Sequence, residues 1–270
     1  MLLHWHARQN LPRFKLHPGL EPLMMPRPFI LALIAGLGLG GCGLPGSVSS
    51  PVARAGVIKS PITDLIPARD NRTAARNFVA VVEAVEPVAE SECRARSPQY
   101  NCDFRILVDD RPGMPPNAFQ TVDNSGRPII AFTLSLIAEV RNGDELAFIM
   151  AHEAAHHIAG HLDRQRLNAS LGAQVFGQLA GTMGGGDAES IRVAQELGAA
   201  VGARSYSRDF ELEADALGTI IAARSGFNPL IGAEFFFRIP DPGNRFLGTH
   251  PGNAERVAVV RETAASLGLY

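Results

Sequence analysis

Residues 144–162 read DELAFIMAHEAAHHIAGHL, and the rest of the chain is interpreted outward from them. The stretch is apolar on nearly every side at helical spacing, the pattern of a buried central helix. Arg141-Asn142-Gly143 breaks the preceding helical pattern, and Asp144 can cap the new helix with Glu145 in its first turn. A buried helix must account for its polar residues. His152 and His156 are four apart, so they sit about 40° from each other around the axis and roughly 6 Å along it. Two imidazoles so placed converge on one ion, and Glu153, between them in angle, flanks that ion while staying free to hold a water. The His-Glu-x-x-His pattern arises by chance in roughly one in a hundred chains of this composition. Four of the eight histidines fall within residues 152–161, so the cluster reads as a zinc site and not as scattered core histidines.

A zinc hydrolase site needs a third protein ligand. The metzincin solution would put Gly at 159 and His at 162, where this chain has Ala159 and Leu162. His161 is one residue off, about 140° from His156 around a continuous helix, and is not counted as a ligand. The other solution is a carboxylate from a later helix. Residues 207–218, SRDFELEADALG, offer Glu211, Glu213 and Asp215, with Glu211 and Asp215 on one face. One of that pair can ligate while the other holds a histidine ring by its far N–H.

Composition removes several other classes. Lys and Arg number 25 against 27 Asp and Glu, a net charge of -2 that leaves no basic footprint for nucleic acid. A hydrophobic share of 46% is too high for a disordered chain, and no repeat of solenoid length occurs. Three cysteines, Cys42, Cys93 and Cys102, are too few for a disulfide scaffold or a four-thiolate zinc site.

The first cysteine belongs to an address. Residues 28–53 carry no charge, and residues 29–39 form an apolar run of 11, too short for a membrane span but the length of a signal-peptide core. The run ends in Leu39-Gly40-Gly41-Cys42, which resembles a bacterial lipobox in which Cys42 receives lipid. We read 1–41 as signal peptide, with translation starting at Met24 or Met25, and 42–70, rich in Pro, Ser and Gly, as lipidated cysteine and tether. Residues 71–270 form the folded domain. In an extracytoplasmic compartment Cys93 and Cys102 close a small disulfide loop.

The fold class is α+β, mostly helical. A helix is expected over 72–90, with Phe78, Val81, Val82 and Val85 inward, then strands at 104–108, 118–122 and 128–132 in a small antiparallel sheet, then the central helix. Residues 169–186 suggest a helix against the active site with a flexible turn at Gly184-Gly185-Gly186.

These motifs together resemble the gluzincin zinc metallopeptidase family that includes the HtpX heat-shock protease and the CAAX prenyl endoprotease. The resemblance rests on HEAAHHIAGH at 152–161 and ELEAD at 211–215, supported by Asn117-Ala118-Phe119, PIIAFTLSLI at 128–137, NGDELAFIMAHE at 142–153 and THPGNAERVAVVRE at 249–262, in the family's order. It implies a zincin-like domain with one Zn2+ per chain, held by His152, His156 and Glu211. Glu153 would be general base and Asp215 the carboxylate behind a ligand. His250 would stabilise the oxyanion or act as a reversible fourth ligand. Glu213 is left as a surface or supporting residue, and Arg256 as structural. The implied activity is endopeptidase cleavage of protein or peptide substrates, in cell-envelope quality control. The mature part has no apolar run near 20 residues, unlike the multi-span members, so the chain resembles the short lipoprotein branch. Gly43, in place of the Asp associated with inner-membrane retention, suggests the periplasmic face of the outer membrane. Two other readings stay open: a zinc-bound holder or chaperone-like protein with little turnover, and a purely structural zinc site.

Overall fold

The computed structural model describes residues 71–183, 187–205, 207–240 and 251–270, which fall in one compact unit. The signal segment, Cys42, the tether, Gly184-Gly185-Gly186 and His250 lie outside the described residues.

Helix α1 (Asn71–Arg96) is longer than its first apolar residues suggest, because its inward stripe of Phe78, Val81 and Val85 continues through Ala89 and Cys93. Cys93 is disulfide-bonded to Cys102, with Cα atoms 5.6 Å apart, and this ties the end of α1 to the segment entering the sheet. Strands β1 (Arg105–Asp109), β2 (Ala118–Val122) and β3 (Pro128–Thr133) form one sheet in the order β1-β3-β2. The strands lie where the sequence puts them, but the sheet is mixed and not purely antiparallel. The turn at 123–127 folds β2 against β3 as an antiparallel hairpin, with the Asp123 carboxylate accepting from Ser125 and Arg127 backbone N–H. The Pro-rich connection at 110–117 carries the chain past the central position to the far edge. The returning β3 therefore runs parallel to β1, pairing Ile106 with Ile130. No single-strand pattern carries that information.

Thr133 caps α2 (Leu134–Glu139) by accepting from Leu136 N–H. Helix α3 (Gly143–Ile158) then passes through the core with twelve of its sixteen residues buried, including Phe148 and Met150. Its cap is Asn142, whose side chain accepts from Glu145 N–H at 2.8 Å; Asp144 instead accepts from Asn228 N–H at 2.8 Å. The buried Glu145 carboxylate takes Arg141 N–H at 2.8 Å and is paired with Arg238. Both ends of that network hold the entry of α3 against the later chain.

The helix stops earlier than the sequence pattern suggests. Ala159 N–H returns to Ala155 O, Gly160 N–H to His157 O, and Gly160 takes φ +66°, the left-handed conformation that ends a helix cheaply only in glycine. The chain restarts at a new angle as α4 (His161–Met183), followed by α5 (Ala188–Arg204), α6 (Ser207–Arg224), α7 (Pro229–Gly232), a 3-10 turn at Ala233–Phe237, and α8 (Asn253–Ser266). Helix α4 packs along α5, so residues 169–183 are a hairpin arm and not a cover on the central helix. Among the described residues no helix is long and apolar enough to cross a membrane.

Helix α6 lies directly on α3. A Cβ built on Gly218 would stand 3.0 Å from the His152 backbone N and Cα, so any larger residue would require the α3 backbone to give by a few tenths of an ångström. Gly218→Ala must push the two helices apart, with an expected loss of about 1–3 kcal/mol in urea unfolding. An unchanged midpoint would mean that the crossing is looser than this.

Candidate metal centre

Helices α3 and α6 bring together the two parts of the motif that are 55 residues apart in sequence. His152 and His156, one turn apart on α3, point their Nε2 atoms at each other across 3.0 Å. Glu211, on α6, reaches both: its Oε2 lies 3.6 Å from His152 Nε2 and its Oε1 3.4 Å from His156 Nε2. These three residues could hold one metal ion, with donor atoms all within 4.8 Å of one another. The fit is chemical as well as spatial. Four ligands at about 2.0–2.1 Å in a tetrahedron stand about 3.3 Å apart, and two imidazole nitrogens with one carboxylate are a zinc donor set, unlike the all-oxygen cages of calcium or magnesium. Glu153, half-buried, leaves α3 between the two histidines.

Each imidazole is held from behind. His152 Nδ1 is 2.9 Å from Asp215 Oδ1, and Asp215 is fully buried. Arg256, from α8, clamps the same carboxylate in two bonds, Nε to Oδ2 at 2.7 Å and Nη2 to Oδ1 at 2.6 Å. Its guanidinium stacks 3.9 Å above the Phe236 ring and stands 3.6 Å from Glu211 Oε2. Burial of His152 favours the neutral ring, but the Asp215 and Glu211 carboxylates outweigh it and raise its pKa to about 9. The pocket is thus built to stabilise positive charge where the three donors meet.

His156 has a different support. Its Nδ1 is 2.8 Å from Nδ1 of His161, whose Nε2 lies 3.2 Å from Glu213 Oε2. Burial, together with the repulsion that would arise if both neighbouring imidazoles were protonated, holds the His161 pKa well below the ordinary histidine range. His157, the fourth histidine of the cluster, turns away and is a satisfied core residue, with Nε2 2.8 Å from Asn101 O and its ring against Tyr100 and Phe104.

Sequence reading therefore reached His152, Glu153, His156, Glu211 and Asp215, which the fold gathers in one place. It undervalued two residues. Arg256, structural by the family resemblance, neutralises the carboxylate behind His152. The 140° that separates His161 from His156 holds only on an unbroken helix, and Gly160, a helix-stopping residue, is the signal in the sequence that the helix breaks. His250 and Cys42 lie outside the described residues.

The profile of peptidase family M48 matches residues 77–264. The chain belongs to peptidase family M48. M48 members are zinc metallopeptidases, which agrees with the donor set gathered here. This M48 chain is 26% identical over 250 residues to a Yersinia pestis protein named beta-barrel assembly-enhancing protease, covering 82% of this chain and 51% of that one. It is 30% identical over 147 residues to a Vibrio cholerae protein to which the same name is given provisionally, covering 50% of this chain and 30% of that one. The chain thus spans about half, or less, of the length of these M48 relatives.

Arg256→Leu would leave the buried Asp215 charge without its guanidinium partner, with only His152 beside it. We expect a loss of about 3–5 kcal/mol in urea unfolding. Arg208→Ala, which breaks the exposed pair to Glu255, should cost under about 1 kcal/mol. Equal effects of the two would show that the buried clamp contributes nothing special.

Proposed function

We propose that the chain is a zinc-dependent endopeptidase acting on proteins of the cell envelope, with His152, His156 and Glu211 as zinc ligands and Glu153 as general base. The observation that carries this reading is the convergence of His152 Nε2, His156 Nε2 and both Glu211 oxygens at 3.0–3.6 Å, with a second carboxylate, Glu153, leaving the same turn of α3. When bound, zinc supplies Lewis acidity, polarising a peptide carbonyl and lowering the pKa of a water. Glu153 takes the proton of the attacking water and delivers it to the leaving amine. Asp215, held by Arg256, keeps the His152 proton on Nδ1, which leaves the Nε2 lone pair free to hold a metal. His250 is assigned, by the family resemblance, to the developing oxyanion.

Strand β2 is an edge of the sheet and lies beside α3. An extended substrate added to it gains main-chain hydrogen bonds that tolerate many side chains, which suits a protease with varied clients. The names of the M48 relatives, together with the signal-like residues 1–41 and the lipobox at Cys42, support an envelope setting. There the chain, anchored by lipid on the periplasmic face of the outer membrane, would clear unassembled proteins.

The deciding assay is casein hydrolysis by the full chain, with zinc content measured in parallel. Glu153→Gln should lower turnover about 10²- to 10⁴-fold while keeping stoichiometric zinc. Chelation should abolish hydrolysis by the parent chain and zinc should restore it, whereas Glu211→Ala should fail to retain the ion. Hydrolysis that survives Glu153→Gln overturns the mechanism; zinc bound without any hydrolysis would favour a holder. For the anchor, Cys42→Ser should move the expressed chain from the membrane fraction to the soluble one, and membrane retention of that variant would refute lipidation at Cys42.

A further inference from the structure

We propose that His161 is a positioning residue of the metal site: it accepts the Nδ1 proton of His156 and so selects the tautomer in which His156 Nε2 can bind the ion. The proposal rests on the reading that His156 is a ligand. The contact between His156 and His161 as neutral rings admits only two arrangements. Two Nδ1 atoms 2.8 Å apart share one proton, which belongs to one ring or the other. If His161 donates, the single N–H proton of a neutral His156 lies on Nε2, aimed at His152 and Glu211, and that nitrogen has no lone pair to give. If His156 donates, its Nε2 lone pair faces the two other donors.

The surroundings of His161 choose between these. Its Nε2 lies 3.2 Å from Glu213 Oε2, and a carboxylate accepts but does not donate, so the His161 proton sits on Nε2. Its Nδ1 is then a lone pair, and the proton between the rings comes from His156. Glu213 is itself held by Arg164, with Nη1 2.7 Å from the same oxygen. The ring of His161 is only 4% exposed and stacks on Phe210 at 4.6 Å and 12°, which fixes the plane in which it accepts. Each hydrogen bond from His156 through His161 to Glu213 then has one donor and one acceptor, whereas the reversed arrangement would set the His161 Nε2 lone pair against the Glu213 carboxylate.

The fold supplies this residue through the break at Gly160. On a continuous helix His161 would face about 140° away from His156. The left-handed glycine turns the chain so that the first residue of α4 folds back onto the last turn of α3. The two ligand histidines are therefore oriented by different means: His152 by a buried carboxylate directly, His156 by a carboxylate acting through a second imidazole.

The test uses the full chain and measures zinc affinity by competition with a chromogenic chelator, with the visible absorption spectrum of the cobalt-loaded protein as a second readout. His161→Phe preserves the stacked, buried ring and removes the acceptor; it should weaken zinc 10- to 100-fold and alter the cobalt bands. His161→Asn places an oxygen near the Nδ1 position and should stay within about threefold of the parent affinity. Glu213→Ala, on the exposed end of the chain of bonds, should weaken zinc severalfold, and it decides the matter if His161→Phe does not fold. The proposal is overturned if His161→Phe binds zinc as tightly as the parent, if His161→Asn loses as much as His161→Phe, or if Glu213→Ala has no effect on affinity. His152→Ala and Glu211→Ala separate the two levels. Should they also leave zinc affinity intact, the ion binds elsewhere and it is the ligand assignment that fails; should they alone abolish binding, the ligand assignment stands and only the role of His161 falls.

Discussion

Asp215 is a carboxylate with no exposed surface, and a charge so placed is tolerated only with close partners. It has two, the bidentate guanidinium of Arg256 and the Nδ1 of His152, and these come from α8 and α3 while Asp215 itself comes from α6. One buried charge thus joins three helices that are far apart in sequence. The glycine at 218, one turn further along α6, lets that helix approach closely enough for the contact to form, and it brings Glu211, on the preceding turn, over the two histidines. Helix crossing, metal donor set and the tautomer of His152 are consequences of a single constraint.

The three side chains that could hold a metal ion are preorganised. The two Nε2 atoms and the Glu211 carboxylate already stand near the mutual separations that tetrahedral coordination requires, and the same carboxylates that raise the His152 pKa to about 9 would stabilise a divalent cation. Rigidity comes from elements that have nothing to do with chemistry: Asn142 and Glu145 fix the start of α3, and the disulfide at Cys93 ties α1 to the sheet beside it.

Much of this was legible in the sequence, and the reasons are local. The spacing of His152 and His156, and of Glu211 and Asp215, is set by 3.6 residues per turn, which needs no tertiary information. The strands at 105–109, 118–122 and 128–133 follow from short β-branched and aromatic runs between turn residues. What failed to show were relations between elements. The parallel pairing of β1 with β3 depends on which edge the 110–117 connection reaches, and the cap on α3 passed from Asp144 to Asn142 because a distant backbone N–H, that of Asn228, claimed the Asp144 carboxylate.

The sequence by itself determined a helix bearing two imidazoles and a carboxylate on adjoining faces, a second helix with two acids on one face, and a cysteine pair nine residues apart, because each is a matter of short-range periodicity. Only the tertiary structure decided which acid faces the histidines and which lies behind them, that Arg256 neutralises the buried one, and that His161 turns back to His156 after the glycine at 160. Those outcomes depend on helix crossing and on the direction of the chain after a left-handed residue, and a small rotation in either would exchange one partner for another.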